Sequence, residues 1–276
     1  GLSSVDVIAL TTVARWFAHR RGFMTGIVKV GTGAGQFVIP LAASWLILHV
    51  GWRQSILVVG VSSALILVTM AQFLRRDPGA AGLKPPPAPI RDSRSAAPGS
   101  GFSLSQALGT PQLWTICMTN LLLVFCLMIV MLHIVPHARD LGLPPLEAAG
   151  VLSTIGAVSM LGRFLAGLAI DRRGSKPVMS FCFLLLLTGL AWLQMADRLW
   201  MLYLFAVVYG LAHGGVFTAI SPLVAEWFGI GSHGALFGIV VCFGTTGGAV
   251  GPLLAGRLFD LSGSYTTTFH IITAMA

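Results

Sequence analysis

Charged side chains are nearly missing from this chain. They make up 9% of its 276 residues, against about 25% in a soluble domain. So few charges cannot cover a water-exposed globular surface, so a soluble fold is excluded. Alternation of polar and apolar residues at period 2 is also missing, which excludes a transmembrane β-barrel. There is no glycine-rich phosphate loop, catalytic triad or His/Glu metal motif in the sequence. Neither an enzyme nor a nucleotide-driven pump is therefore indicated, and no cofactor or metal is expected. Cysteine is limited to Cys117, Cys126, Cys182 and Cys242, all inside apolar runs. Without metal or disulfide spacing they read as small packing side chains.

What fills the chain is apolar. Hydrophobic residues reach 55% and mean hydropathy is +0.86. The apolar runs are about 20 residues long, enough to span a bilayer as helices. They predict an all-α polytopic membrane bundle with spans near 1–17, 23–48, 55–74, 113–135, 148–170, 177–196, 199–225, 234–258 and from 265 onward. Residues 75–111 are rich in Pro, Gly, Ser and Arg and read as an aqueous linker. The net charge of +8 comes from short loops, where it signals topology rather than nucleic acid. Alternate loops carry eleven basic residues against four on the opposite side, which puts the linker in the cytoplasm.

The chain also repeats itself. Shifted by 212 positions, Gly22, Gly26, Gly35, Pro40 and Gly51 fall on Gly234, Gly238, Gly247, Pro252 and Gly263 without a gap. Glycines and a proline at fixed spacing carry weight because each sets a backbone approach or a break. The first three spans thus pair with the last three, and the middle three lack an upstream partner. The expected organisation is a remnant of an N-terminal half over 1–74 (helices 4–6), the linker over 75–111, and a C-terminal half over 112–276 (helices 7–12, the last one cut). Three further helices are expected before Gly1. Duplicated bundles of this kind build many secondary transporters, with the substrate between the halves.

The run Gly167-Leu-Ala-Ile-Asp171-Arg172-Arg173-Gly174-Ser175-Lys176 resembles the cytoplasmic signature G-x-x-x-D-R-x-G-x-K of the major facilitator superfamily. Within it, three stretches resemble the oxalate/formate antiporter and monocarboxylate transporter group. They are His133-Ile-Val-Pro136-His137-Ala-Arg-Asp140, Gly162-Arg163 with Gly167, and Gly251-Pro252 through Tyr265. The resemblance implies that Arg163 holds a substrate carboxylate. It also implies that Asp171, Arg172, Arg173 and Glu226 form a charge lock on the cytoplasmic face, with Asp171 against the start of the span at 234–258. Two positions depart from the group. No lysine stands in that span, where the oxalate antiporters have one, and Ser159 stands where monocarboxylate transporters have an aspartate.

The residues support a site independently. Arg163 lies eight positions before Asp171, about 12 Å into the bilayer at 1.5 Å per residue. An arginine at that depth costs at least ~2.5 kcal/mol unless it faces water or a partner, and its fork matches a carboxylate. The alternative is a structural ion pair. Lys29 could supply a second cation or snorkel to the surface. Asp6 could pair with Lys29 or carry a proton. His133 and His213 are candidate substrate or pH-responsive groups, and Tyr209 a candidate hydrogen-bond donor. Gly31/Gly35 and Gly244/Gly248 are read as helix-packing pairs.

The function this implies is secondary active transport of a small organic anion, a monocarboxylate or dicarboxylate, by alternating access. Coupling would be proton symport or anion exchange. The expected partners are the anionic substrate, the lipid bilayer and protons; no nucleic acid is expected, and the protein is read as monomeric. Localisation would be multi-pass in the plasma or bacterial inner membrane. The alternatives are an efflux carrier for drug-like molecules on the same fold and a non-transporting receptor or sensor.

Overall fold

The computed structural model describes residues 2–17, 20–73, 101–263 and 265–275. Ten helices follow one another among these residues: α1 (Leu2–Trp16), α2 (Arg21–Val50), α3 (Trp52–Phe73), α4 (Leu104–Leu108), α5 (Pro111–Asp140), α6 (Pro145–Arg173), α7 (Ser175–Leu193), α8 (Leu199–Phe228), α9 (His233–Ser262) and α10 (Thr266–Met275). Most of the linker read from the sequence, including Arg75, Arg76, Lys84, Arg91 and Arg94, lies outside the described residues. Six helices (α3 and α5 to α9) are long and apolar enough to cross a membrane. This is the architecture of an integral multi-pass membrane protein, all-α as composition requires.

The helices run longer than their apolar cores. Those of 30 residues reach about 45 Å at 1.5 Å per residue, beyond a hydrocarbon layer of about 30 Å. The sequence places the end of the span at 113–135 before Pro136, yet α5 passes through Pro136 to Asp140. Pro222 and Pro252 are likewise inside α8 and α9. Packed neighbours tolerate the lost backbone bond in a membrane helix. Proline opens helices instead where it lacks a bond to lose, in the first turns of α5 and α6.

Water does not drive helices together inside lipid, so close approach must come from small residues. Three seams show this. Between α6 and α8, a Cβ added to Gly162 would stand 2.6 Å from the Leu211 carbonyl oxygen, and one on Gly210 3.0 Å from that of Ile155. Between α5 and α9, Gly244, Gly247, Gly248 and Gly251 sit against Asn120, Leu121, Val124, Phe125 and Met128. Between α2 and α6, a Cβ on Gly26 would stand 2.7 Å from the Arg163 carbonyl oxygen, and one on Gly167 2.7 Å from that of Gly22.

The expected packing pair Gly244/Gly248 therefore lies in a seam, whereas Gly31 and Gly35 do not: a Cβ on either meets nothing within 4 Å. The reason is helical phase. The α6-facing stripe of α2 is Gly22, Gly26, Lys29 and Gly33, spaced at 4, 3 and 4. At 100° per residue, Gly31 and Gly35 stand about 180° and 220° round from Gly22.

Gly162→Val should accordingly lower the melting point in detergent, through a loss of about 1–3 kcal/mol by overpacking. Gly31→Ala should stay within about 0.5 kcal/mol of the parent. Fluorescence-detected thermal melts of the purified protein check both.

Candidate functional site

The α2–α6 seam carries the ionisable groups. Arg163 is 2% exposed. Its backbone sits between glycines, with Gly26 of α2 on its carbonyl and Gly214 of α8 on its amide. Its side chain reaches across to α2, where Nη1 donates to the Lys29 carbonyl at 2.9 Å. The Nε proton is buried without a hydrogen-bond partner. Lys29 is 5% exposed. Its ammonium is paired with the Asp6 carboxylate of α1 at 2.6 Å and lies 5.9 Å from the ring centre of Phe217 on α8, within cation–π range. Asp6 keeps 42% of its side chain accessible. The structure thus brings three of the expected residues, Arg163, Lys29 and Asp6, to one place.

His213 joins them from α8. It is 1% exposed, and both of its ring nitrogens are buried with no partner. Its neighbour Gly214 packs against the Arg163 amide. Phe205, Tyr209, His213 and Phe217 form a ladder of rings along α8, with successive centroids 5.1, 6.0 and 5.0 Å apart. The 4-residue spacing aligns them on one face. Tyr209 is fixed elsewhere: its hydroxyl donates to the Leu127 carbonyl of α5 at 2.8 Å. It braces α8 against α5, which corrects its reading as a substrate donor.

His133 is also committed to structure. Nε2 lies 3.2 Å from the Pro252 carbonyl oxygen and Nδ1 3.2 Å from the Tyr265 hydroxyl. A carbonyl only accepts, so the neutral ring carries its proton on Nε2 and Nδ1 accepts from the phenol. His133 thereby ties α5 to α9 and to the turn before α10 rather than to the cationic cluster.

At the end of the same seam, Asp171 finishes α6 and caps α2. The Gly22 amide donates to Oδ1 at 2.7 Å and the Phe23 amide to Oδ2 at 2.9 Å. No side chain of its own caps the start of α2, and the first-turn amides of a helix have no internal partner. A carboxylate there meets both the free donors and the positive helix end. This corrects the expected partner, the start of α9 at His233–Ala235. Gly22 is the repeat counterpart of Gly234, so the recognised feature is the same but the copy is the other one. The geometry decides: α6 packs along α2, and α9 along α5 and α1.

The other members of the expected lock do not join Asp171. Glu226, at the end of α8, accepts from the Ser175 amide at 3.1 Å and its hydroxyl at 2.8 Å, capping α7. Arg172 and Arg173 are exposed and form no ion pair among the described residues.

Two features escaped the sequence. Gly33 faces Arg163, and Asn120, 5% exposed, donates to the Val240 carbonyl at 2.8 Å, binding α5 to α9. The signal for Gly33 was the 4, 3, 4 spacing of its stripe; a lone asparagine in an apolar run gave none.

A bundle of membrane helices sealed by glycine seams, with cations buried between helices that are distant in sequence, defines a membrane carrier fold. The family model of the Major Facilitator Superfamily matches residues 1–172 and again 134–276, and the chain belongs to that superfamily. Among curated proteins it is similar to monocarboxylate transporter 13 of Bos taurus, 28% identical over 267 residues that cover 96% of this chain and 60% of the relative. It is also similar to monocarboxylate transporter 12 of Rattus norvegicus, 27% identical over 284 residues covering 95% and 58%. The chain thus spans about 60% of the length of these relatives. Among solved structures, the E. coli fucose:proton symporter FucP superposes with a TM-score of 0.66 at 15% identity, covering 96% of this chain and 70% of that one. The human organic anion transporter MFSD10 does so at 0.66 and 18%, covering 97% and 66%. These establish the fold.

Asp171→Ala should weaken the junction of α6 with α2 by about 0.5–2 kcal/mol, the usual value of a cap. Nitroxides on cysteines placed at the exposed Arg20 and Arg172, on a Cys242→Ser background, should then show a larger population at long distance. An unchanged distance distribution would reduce Asp171 to a loop charge.

Proposed function

We propose that the protein is a secondary transporter of small organic anions, monocarboxylates first, working by alternating access between an N-terminal half that contains α1–α3 and a C-terminal half made of α5–α10. The observation that supports this best is the buried Arg163 beside the Lys29–Asp6 pair. Two cations and one carboxylate leave one net positive charge in a membrane interior. A single carboxylate neutralises it; a dicarboxylate overshoots. Arg163 offers the fork for the carboxylate. His213, with both ring nitrogens unpartnered, is positioned to hydrogen-bond a hydroxyl or keto group on the same anion. The monocarboxylate transporters among the relatives agree with this class, and the absence of a lysine in α9 argues against oxalate.

Asp6 is the candidate proton carrier. It holds the Lys29 ammonium while ionised and releases it when protonated, freeing a second cation for the anion. Such a cycle links one proton to one monoanion. Anion exchange on the same site requires only that the empty carrier reorient slowly. The Asp171 cap closes the end of the α2–α6 seam, assigned to the cytoplasm by the basic loops, so this conformation is read as closed on the inside. The protein is placed in a cell membrane with the segment 75–111 cytoplasmic.

Uptake of radiolabelled lactate into proteoliposomes carrying the full-length protein tests this. Arg163→Lys should reduce kcat/KM at least about 100-fold, nearly as far as Arg163→Ala, because an ammonium lacks the planar fork. Uptake surviving Arg163→Ala at the parental KM would remove Arg163 from the site. An inward proton gradient should accelerate uptake by the parent but not by Asp6→Asn. Acceleration only by preloaded internal anion, with no response to the gradient, would instead assign exchange.

A further inference from the structure

We propose that Gly33 is a positioning residue for anion recognition: its missing side chain leaves the slot through which the Arg163 guanidinium reaches the α2 main chain. The inference rests on the reading of Arg163 as the substrate anchor. Gly33 lies one turn beyond Lys29 on the stripe that faces α6. A Cβ there would stand 2.6 Å from Arg163 Nη1 and 2.6 Å from Met160 Cγ. No side-chain bearing residue fits beside that nitrogen without moving it. The same nitrogen is the one that donates to the Lys29 carbonyl at 2.9 Å.

The kind of obstruction separates Gly33 from the other glycines of α2. At Gly26 an added carbon meets the Arg163 main-chain carbonyl, and at Gly22 the branched Ile170. Those positions set the spacing of two helices. At Gly33 it meets side-chain atoms alone, the guanidinium end of Arg163 and the Cγ and Sδ of Met160. A methyl group there displaces the fork while leaving the helix backbones in place. The Lys29 carbonyl is the only hydrogen-bond acceptor found for Arg163 among the described residues. Its position therefore depends on a single bond, and the slot at Gly33 permits that bond. Gly31, two residues earlier with open space around it, supplies the matched control on the same helix.

The test compares Gly33→Ala, Gly31→Ala and the double variant Gly33→Ala/Met160→Ala, reading KM and kcat for labelled lactate in proteoliposomes and the melting point of each protein. Gly33→Ala should raise KM at least about 10-fold at a kcat within about 2-fold and an unchanged melting point. Gly31→Ala should match the parent. Removing the Met160 side chain gives the methyl group somewhere to go, so the double variant should return KM to within about 3-fold. A parental KM in Gly33→Ala overturns the inference. So does a Gly33→Ala protein that fails to fold, because the methyl would then be striking backbone. If Arg163→Lys is also silent, the anchor reading itself has failed; if Arg163→Lys is severe while Gly33→Ala is silent, only the slot has failed.

Discussion

A guanidinium cannot shed its charge, and lipid cannot solvate it. Arg163 is 2% exposed, about 12 Å along its helix from Asp171, and an uncompensated charge at that depth costs several kcal/mol. Much of the surrounding architecture answers that constraint. Glycine on α2 and glycine on α8 bring main chain to both sides of the Arg163 backbone. A main-chain carbonyl from α2 takes one proton of the fork. The neighbouring ammonium is held by Asp6, so the cations do not face each other uncompensated. What is left over is one Nε proton and two imidazole nitrogens without partners, and buried unmet polar groups cost about 1–3 kcal/mol each.

The same seam carries a second electrostatic junction. Asp171 satisfies two orphan amides that α2 does not cap for itself. Both junctions join α6 to the main chain of α2 rather than to its side chains. Main-chain partners are indifferent to side-chain identity but demanding about distance, so they require the glycines that let the helices approach. Sequence composition and site chemistry meet at this point: the glycine stripe is the structural condition for the charge pattern.

The fold was legible because lipid leaves little choice. Few charges and apolar runs of helical length lead to a helix bundle, and the signature at Gly167–Lys176 and the internal repeat pointed to the superfamily. The depth of Arg163 was legible from helix arithmetic, and Lys29 and Asp6 stood among the candidates, but their gathering beside Arg163 was not. Partners were harder. Gly22 and Gly234 are counterparts in the repeat, so the sequence alone offered Asp171 two equivalent helix ends. Only the packing of α6 along α2 selects one. Gly31 and Gly35 matched a small-xxx-small pattern that says nothing about which way it points; 100° per residue puts them opposite the seam. Tyr209 and His133 looked free because the carbonyls that engage them, from Leu127 and Pro252, belong to the backbone and leave no trace in side-chain identity.

The two junctions are geometrically linked. On α6, Arg163 and Asp171 are eight residues apart; on α2, their partners Lys29 and Gly22 are seven apart in the opposite direction. At 1.5 Å per residue these intervals are about 12 and 10.5 Å, so two antiparallel helices hold both contacts in one register. A helix transmits a tilt along its length because its backbone bonds resist local stretching. Separation of α6 from α2 at the Asp171 end therefore withdraws the Lys29 carbonyl from Arg163 as well. In the proposed transport reading a carboxylate would take the fork's remaining donors, among them the unpartnered Nε, while the carbonyl holds Nη1 in place. Under that reading, closure of the helix end and presentation of the fork to an anion go together. This is the differential interaction between two states that a ligand needs in order to shift their balance.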